Sequence, residues 1–355
     1  MRPTIAYISL DNLAYNYHLL CEKSGDAEVM AVVKANAYGH GLEHVAPCLY
    51  QHGCRSFAVT DACEGAELRR LLDKDAKITL FSGIFDDDDA KLSVDYDLTP
   101  VVTEIWHINC LQQQGFQAAV WLKVNTGMNR LDTTDWQGLW ECCQHAGIRI
   151  EGIMSHLACA DIPEHPLNQQ QVQIFQSILS KLPVQVHASL LNSAGIAALP
   201  PTSYFDVVRP GLALYGIEPI EAAPMNLKEV MCLKAKVIQI RKVQQGQSIS
   251  YGASYIVGKA MNIAVVSIGY GDGLPRELSN SGLAFYENQA LPIIGRVCMD
   301  YCLLNCSESD IQTGDEVIFW GEGHSVSSLA KQLNTIPYTL TTGLQSRVKR
   351  KAIQV

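Results

Sequence analysis

The chain has 355 residues, 48% of them hydrophobic and 18% charged, which is the make-up of a globular protein with one large domain and one smaller one. Its 27 basic and 36 acidic residues leave a net charge of −9, which argues against a nucleic-acid partner. No stretch approaches the roughly 18 uninterrupted apolar residues of a membrane span, and MRPTIAYISLDNL lacks the apolar core and cleavage site of an export signal. The expectation is therefore a cytoplasmic protein with no membrane partner, whose 12 cysteines are thiols.

Up to about residue 211, β-branched runs alternate with helical stretches. The predicted strands are VMAVV (29–33), SFAVT (56–60), ITLFS (78–82), LTPVV (98–102), AVWLKV (119–124), EGIMSH (151–156), VQVHASL (184–190) and DVVRP (206–210). They start roughly 20–35 residues apart, the spacing of βα units. Amphipathic segments such as DACEGAELRRLLD (61–73) and QQQVQIFQSILSKL (169–182) lie between them, and DDDD (86–89) reads as a solvated helix start. Eight such units point to a (β/α)8 TIM barrel. The competing open doubly wound sheet would carry a phosphate fingerprint after its first strand, and no GxGxxG is present.

After about residue 226 the texture changes. KAKVIQIRKV (234–243), NIAVVSIGY (262–270), LPIIGRVCMDYCLL (291–304) and DEVIFWG (315–321) follow one another, with only SVSSLAKQL (325–333) helical behind a serine N-cap. The predicted division is a barrel over 1–226 and a mainly β domain over 227–355. KRK (349–351) reads as a solvated strand edge. Cys298, Cys302 and Cys306 are expected on one strand face as core thiols. His40 and His44 sit in HGLEH, which lacks the glutamate of a zincin motif, and no metal site is assigned.

In a TIM barrel the chemistry sits at the C-terminal strand ends. Those ends carry Lys34, then Lys123 with Arg130 in NTGMNR, then His156, then Asn192, Ser193 and Gly195, then Arg209 before Pro210 and Gly211. This rim is cationic. NSAG and RPG are small turns able to expose backbone N–H groups to an anion. A lysine beside a phosphate cradle suggests pyridoxal 5'-phosphate held on Lys34. Taken singly, Lys34 is as readily a salt-bridged structural lysine, and Ser193 an ordinary N-cap.

Over essentially its whole length the chain resembles bacterial alanine racemases, which are fold-type III pyridoxal-phosphate enzymes. The matching segments are VVKANAYGHG, KVNTGMNRL (123–131), SHLACAD (155–161), LNSAG (191–195), VVRPGLALYG (208–216), SISYGASY (248–255), IGYGDGLPR (268–276), GRVCMD (295–300) and IPYTLTTGLQSRV (336–348). The resemblance implies interconversion of L-alanine and D-alanine by two bases, supplying D-alanine for peptidoglycan. Lys34 would bind the cofactor and handle the D-side proton, and Tyr251 the L-side proton. His156 and Arg209 would form a relay, with Arg209 facing the pyridine nitrogen. Tyr38, Asn192, Ser193, Gly211, Leu212 and Ser346 would contact the cofactor, mainly its phosphate. Arg130 and the Met299 backbone would take the substrate carboxylate. Lys123 matches a lysine that many relatives carbamylate, and Tyr270 lines the substrate entrance. The resemblance also implies a homodimer in which each active site receives its tyrosine from the other subunit.

Several positions depart from the family pattern. Asn125 and Asn129 stand where many relatives have Asp and Gly, Gly271 where alanine is common, and Ser346 where some have a phosphate-binding tyrosine. Three other readings remain: a basic amino-acid decarboxylase, whose glycine-rich cysteine–aspartate motif is missing here; a single-barrel cofactor carrier, which needs no second base; and a racemase for serine or for several amino acids.

Overall fold

The computed structural model describes residues 2–354. The chain forms two compact units. One is Leu13–Lys228; the other joins the start of the chain to everything from Glu229 onward. The main division falls between Lys228 and Glu229. The first residues, however, pack with the C-terminal unit, because β1 (Thr4–Ser9) is a strand of its sheet.

In the larger unit, β2 (Glu28–Val32), β3 (Ser56–Val59), β4 (Lys77–Leu80), β5 (Thr99–Val102), β6 (Ala119–Lys123), β7 (Arg149–Met154), β8 (His187–Asn192) and β9 (Val207–Arg209) pair in parallel and close into an eight-stranded barrel. Closure is made by β9 against β2, with Val207 opposite Glu28. The strands read as continuous apolar runs because both faces are covered. Phe57, Ile78, Leu80, Val120, Leu122 and Ile153 are fully buried. Every predicted barrel strand is present, each within three residues of its expected limits.

The surrounding helices start where acidic caps place them. Asp61, Asp86 and Asp135 each accept a hydrogen bond from the amide three residues on, opening the helices Ala62–Leu71, Asp87–Asp95 and Trp136–His145. The helix Pro166–Leu179 turns Asn168, Gln171 and Phe175 inward, a spacing that marks one helical face.

The smaller unit is mainly β. It contains β10 (Met231–Val243), β11 (Ser248–Ile249), β12 (Tyr255–Ile256), β13 (Met261–Val266), β14 (Leu283–Tyr286), β15 (Gln289–Pro292), β16 (Cys302–Asn305), β17 (Glu316–Trp320) and β18 (Lys349–Ile353). Long β10 is the hub, pairing antiparallel with β1, β13 and β17. The sheet ends at β18, which carries KRK and pairs with β1 on one side, so the expected strand edge is where those lysines lie. LPIIGRVCMDYCLL is two strands rather than one. Its middle leaves the ladder at Gly295, whose φ of 71° takes the backbone into the left-handed region. Cys298 therefore sits in a loop, while Cys302 and Cys306 are buried as core thiols.

Candidate active site

Lys34 leaves the barrel directly after β2 and enters an unusual turn. Ala35, Asn36, Ala37 and Tyr38 have φ of 52°, 52°, 54° and 53°, a run of left-handed backbone with no glycine in it. Such a conformation costs about 1–2 kcal/mol per residue for L-amino acids, so the surroundings must hold it. Glu64 accepts the Ala35 N–H at 2.7 Å and the Thr60 N–H at 2.8 Å. Asn36 Oδ1 accepts the Leu42 N–H at 2.7 Å. Tyr38 stacks on Tyr215 with ring centres 5.0 Å apart, and Tyr215 stacks on His40 at 4.4 Å. The Tyr215 hydroxyl donates to the Val32 carbonyl at 3.0 Å, tying the stack back to β2. Backbone strain over-determined in this way is characteristic of functional sites.

Arg209, at the end of β9, is almost wholly buried. Its guanidinium donates to the Ser189 hydroxyl, to the carbonyls of Ser155 and Leu190, and toward His156 Nδ1 at 3.3 Å. Asn192 Nδ2 lies 3.4 Å from His156 Nε2. The two nitrogens of His156 thus face two side chains the sequence had marked. Burial and then the charge of Arg209 hold His156 well below its ordinary pKa, so it is neutral at physiological pH. Burial also lowers Arg209, to about 9, which leaves it a cation.

Lys34 and Lys123 are shifted down as well. Burial and then the Arg130 charge lower Lys34. Burial, then Arg209 and Arg130, bring Lys123 to about 8. Among the described residues no carboxylate forms an ion pair with Lys34, Lys123, Arg130 or Arg209. The two nearby acids are otherwise engaged: Glu64 holds backbone amides, and Asp132 faces the Arg130 N–H at 3.4 Å. The rim is a set of cations awaiting anions.

Ser193 Oγ accepts the N–H groups of Gly211 at 3.0 Å and Ala213 at 3.2 Å. A Cβ on Gly211 would collide with the Tyr38 hydroxyl, so the backbone approaches that hydroxyl as only glycine allows. A serine hydroxyl, a tyrosine hydroxyl and two amides therefore converge; the amides donate to Ser193 Oγ here, and a bound phosphate oxygen would take the same kind of donor. Leu212 lies between those amides and is buried; Ala213 had not been anticipated from the sequence. The residues present thus fit pyridoxal phosphate: a lysine with a lowered pKa, a donor cradle and uncompensated positive charge.

In the smaller unit, Tyr251, Tyr270 and Met299 lie on three loops joined by hydrogen bonds. Tyr270 N–H donates to Cys298 O at 3.0 Å, Gly271 N–H to Met299 O at 2.9 Å, and Ser250 Oγ to Arg296 O at 2.7 Å. All three side chains are exposed, Tyr251 by 71%. Ser346 is exposed beside Arg347, whose Nη2 donates to Met299 O at 3.1 Å.

Comparison with known proteins decides the family. Family models for the alanine racemase N-terminal and C-terminal domains match residues 8–219 and 230–352. The chain belongs to the alanine racemase family. It is 35% identical to an alanine racemase from Vesicomyosocius okutanii, over 97% of each chain. Its fold superposes on the alanine racemase of Bartonella henselae with covalently bound pyridoxal phosphate, at a TM-score of 0.92 and 33% identity over 99% of this chain and 100% of that one. The biosynthetic alanine racemase from Pseudomonas aeruginosa gives 0.90 and 34%, covering 100% of both chains.

Some contributors escaped sequence reading. Ser155, Gln171 and Tyr215 carry no local signal of their role. Glu64 had one: Asp61 and Glu64 have capping-box spacing, and Asp61 does cap this helix.

Proposed function

We propose that this chain interconverts L-alanine and D-alanine with pyridoxal phosphate, using Lys34 and Tyr251 as the acid–base pair, and that it works as a homodimer. The observation that carries the reading is the partly buried cationic rim around Lys34, with no ion-paired carboxylate among the described residues, in a chain of the alanine racemase family. Pyridoxal phosphate, when bound, supplies the electron sink that lets an α-carbon give up its proton.

Lys34 has a lowered pKa, which enriches the neutral amine, the form able to bond covalently and to accept a proton. Arg209 has donors and no acceptor, so facing the pyridine nitrogen it would keep that nitrogen unprotonated. The neutral His156 lies between Arg209 and Asn192 and orients the pair. Tyr38, Asn192, Ser193, Gly211, Leu212 and Ser346 would hold the cofactor. Arg130, Met299 and Tyr270 would receive the substrate. A pKa of about 8 gives Lys123 enough free amine near neutrality to add carbon dioxide; the amine proton leaves and the resulting anion would hold Arg130. The exposure of Tyr251 supports its use by a neighbouring subunit, since it lies in a cluster of exposed large side chains with Tyr270 and Met299.

The test is to incubate the protein with pyridoxal phosphate and L-alanine in heavy water. D-alanine carrying α-deuterium is expected; no D-alanine and no exchange would sink the reading. Repeating the assay with L-serine maps the specificity. Lys34→Ala should lose the absorbance of lysine-bound cofactor and at least about 10³-fold of the racemisation rate. Tyr251→Phe should keep that absorbance and still wash the α-hydrogen out of D-alanine but not L-alanine. Washout is the deciding readout, because the two enantiomers are equal in energy and kcat/KM must fall equally in both directions. Normal racemisation by Tyr251→Phe would refute the two-base assignment, and a monomer with full activity would refute the dimer.

A further inference from the structure

Gln171 lies on the helix Pro166–Leu179 and is wholly buried. Its side-chain amide is fully used. Nε2 donates to Thr126 Oγ1 at 3.0 Å and to the His156 carbonyl at 2.8 Å, and Oε1 accepts the Ala158 N–H at 2.9 Å. One side chain thus grips the loop after β6 and the loop after β7.

The bonds continue in one direction. Thr126 accepts from Gln171, and Ser155 Oγ donates to the Val124 carbonyl at 2.8 Å. The 2.8 Å contact between the two hydroxyls must therefore be donated by Thr126 to Ser155. Each member has one role and no spare proton. The Ser155 carbonyl in turn accepts from Arg209.

Thr126 is the anchor of its loop. It is the only buried residue from 125 to 133. The loop closes on itself through Asn125 N–H to Thr133 O at 2.8 Å and Thr133 N–H to Lys123 O at 2.9 Å, leaving Arg130 exposed at its far side. Gly127, next to the anchor, has φ of 126°, so the adjoining backbone supplies little stiffness of its own.

We propose that Gln171 is a positioning residue for substrate binding: through Thr126 it sets where Arg130 stands, and through the His156 carbonyl it fixes the same frame to Arg209. The inference rests on the reading of Arg130 as the carboxylate site. An arginine at the end of a loop is useful only if its base is fixed, since a shift of about 1 Å can be costly to a reaction.

The experiment compares holoenzyme variants by KM, kcat, absorbance of the lysine-bound cofactor, and amide hydrogen exchange over residues 125–133. Gln171→Glu keeps the shape and cannot make both donations at once, since a carboxyl has at most one O–H. Thr126→Val removes the hydroxyl alone and serves if Gln171→Glu fails to fold. Each should raise the KM for L-alanine about tenfold with kcat changed less than about threefold, leave the absorbance intact and speed exchange over 125–133. Thr126→Ser should restore KM, which a merely structural role would not require. The double variant should cost less than the two single effects added together, because both break the Gln171–Thr126 bond. Wild-type KM in folded Gln171→Glu and Thr126→Val, beside a raised KM in Arg130→Ala, overturns the proposal and leaves the Arg130 role standing. Wild-type KM in Arg130→Ala overturns that role instead. The grip on the loop is then judged by exchange: faster exchange in Gln171→Glu supports it and unchanged exchange refutes it.

Discussion

The barrel rim and the β unit both bury charge, and they do it in opposite ways. At the rim, burial and then neighbouring guanidinium charge lower Lys34 and Lys123, and among the described residues no carboxylate forms an ion pair with either. In the β unit, two arginines and two aspartates alternate. Asp272 takes Arg2 at 2.8 Å and Arg347 at 2.7 Å, and Asp300 takes Arg347 at 2.9 Å and Arg2 at 3.4 Å. The side chain of Asp272 is completely inaccessible, and its Oδ2 also accepts the Gly269 N–H at 2.9 Å. Neutralised charge holds a structure together. Charge left un-neutralised has a standing cost, kept only where an anion is to be bound.

Breaking the neutral set should give the largest loss of stability. Asp272→Asn leaves two arginines around an amide that can answer neither fully. The arginines left behind are partly exposed and keep Asp300, so the loss should fall below the about 3–5 kcal/mol of a fully buried network and above the about 1 kcal/mol of an exposed pair, to be read from urea unfolding of the β-unit signal. The Gly269–Gly273 turn, which carries Tyr270, should loosen with it. A loss under about 1 kcal/mol would mean that the four charges are only a surface pattern.

The same contrast explains what could be read from sequence. The eight barrel strands were legible because strands buried on both faces are runs of β-branched residues, whatever surrounds them. TIAYIS at the start carries no such signal: its partners, β10 and β18, lie more than two hundred residues away, and no local pattern encodes that pairing. The cationic strand ends were visible as residues, yet their lack of counter-ions is a fact of three dimensions. The left-handed turn after Lys34 was invisible too, since among Ala35, Asn36, Ala37 and Tyr38 only asparagine favours that backbone. Gln171 stood in a run of three glutamines that reads as a wet helix face. The alternating tetrad was illegible because Arg2 and Arg347 come from opposite ends of the chain.

At the rim the sign of a charge deletion should reverse. Lys123→Met removes a buried cation and keeps the bulk, so the cofactor-free protein should become more stable by about 1–3 kcal/mol. The pH dependence has a definite direction. Lys123 has a folded pKa of about 8 against 10.5 ordinarily, so between those values the unfolded chain binds the extra proton and stability rises with pH. The penalty is complete below about pH 8 and gone above about 10.5. Subtracting the Lys123→Met curve from the wild-type curve should isolate that rise, up to ~3 kcal/mol. Inorganic phosphate or the cofactor should flatten it, by supplying the missing anion. A flat difference curve would show that the amine is already neutralised, as carbamylation would do, and the mass of the protein would then be higher by one carbon dioxide on Lys123.

Ser346 belongs to the β unit and is proposed to contact the cofactor, and its effect should be the smallest. It precedes Arg347, whose guanidinium is fixed by Asp272 and Asp300, so the neutral set fixes the chain position from which Ser346 would reach a phosphate. The hydroxyl is exposed, and a neutral hydrogen bond to an anion from such a place contributes about 1 kcal/mol or less. Ser346→Ala should therefore weaken cofactor binding only about two- to fivefold, measured by titrating cofactor-free protein, and leave urea stability unchanged. A larger loss would make Ser346 a main phosphate ligand despite its exposure. No loss would remove it from the cofactor set, leaving Tyr38, Ser193 and the backbone of Gly211 and Leu212 to hold the phosphate by themselves.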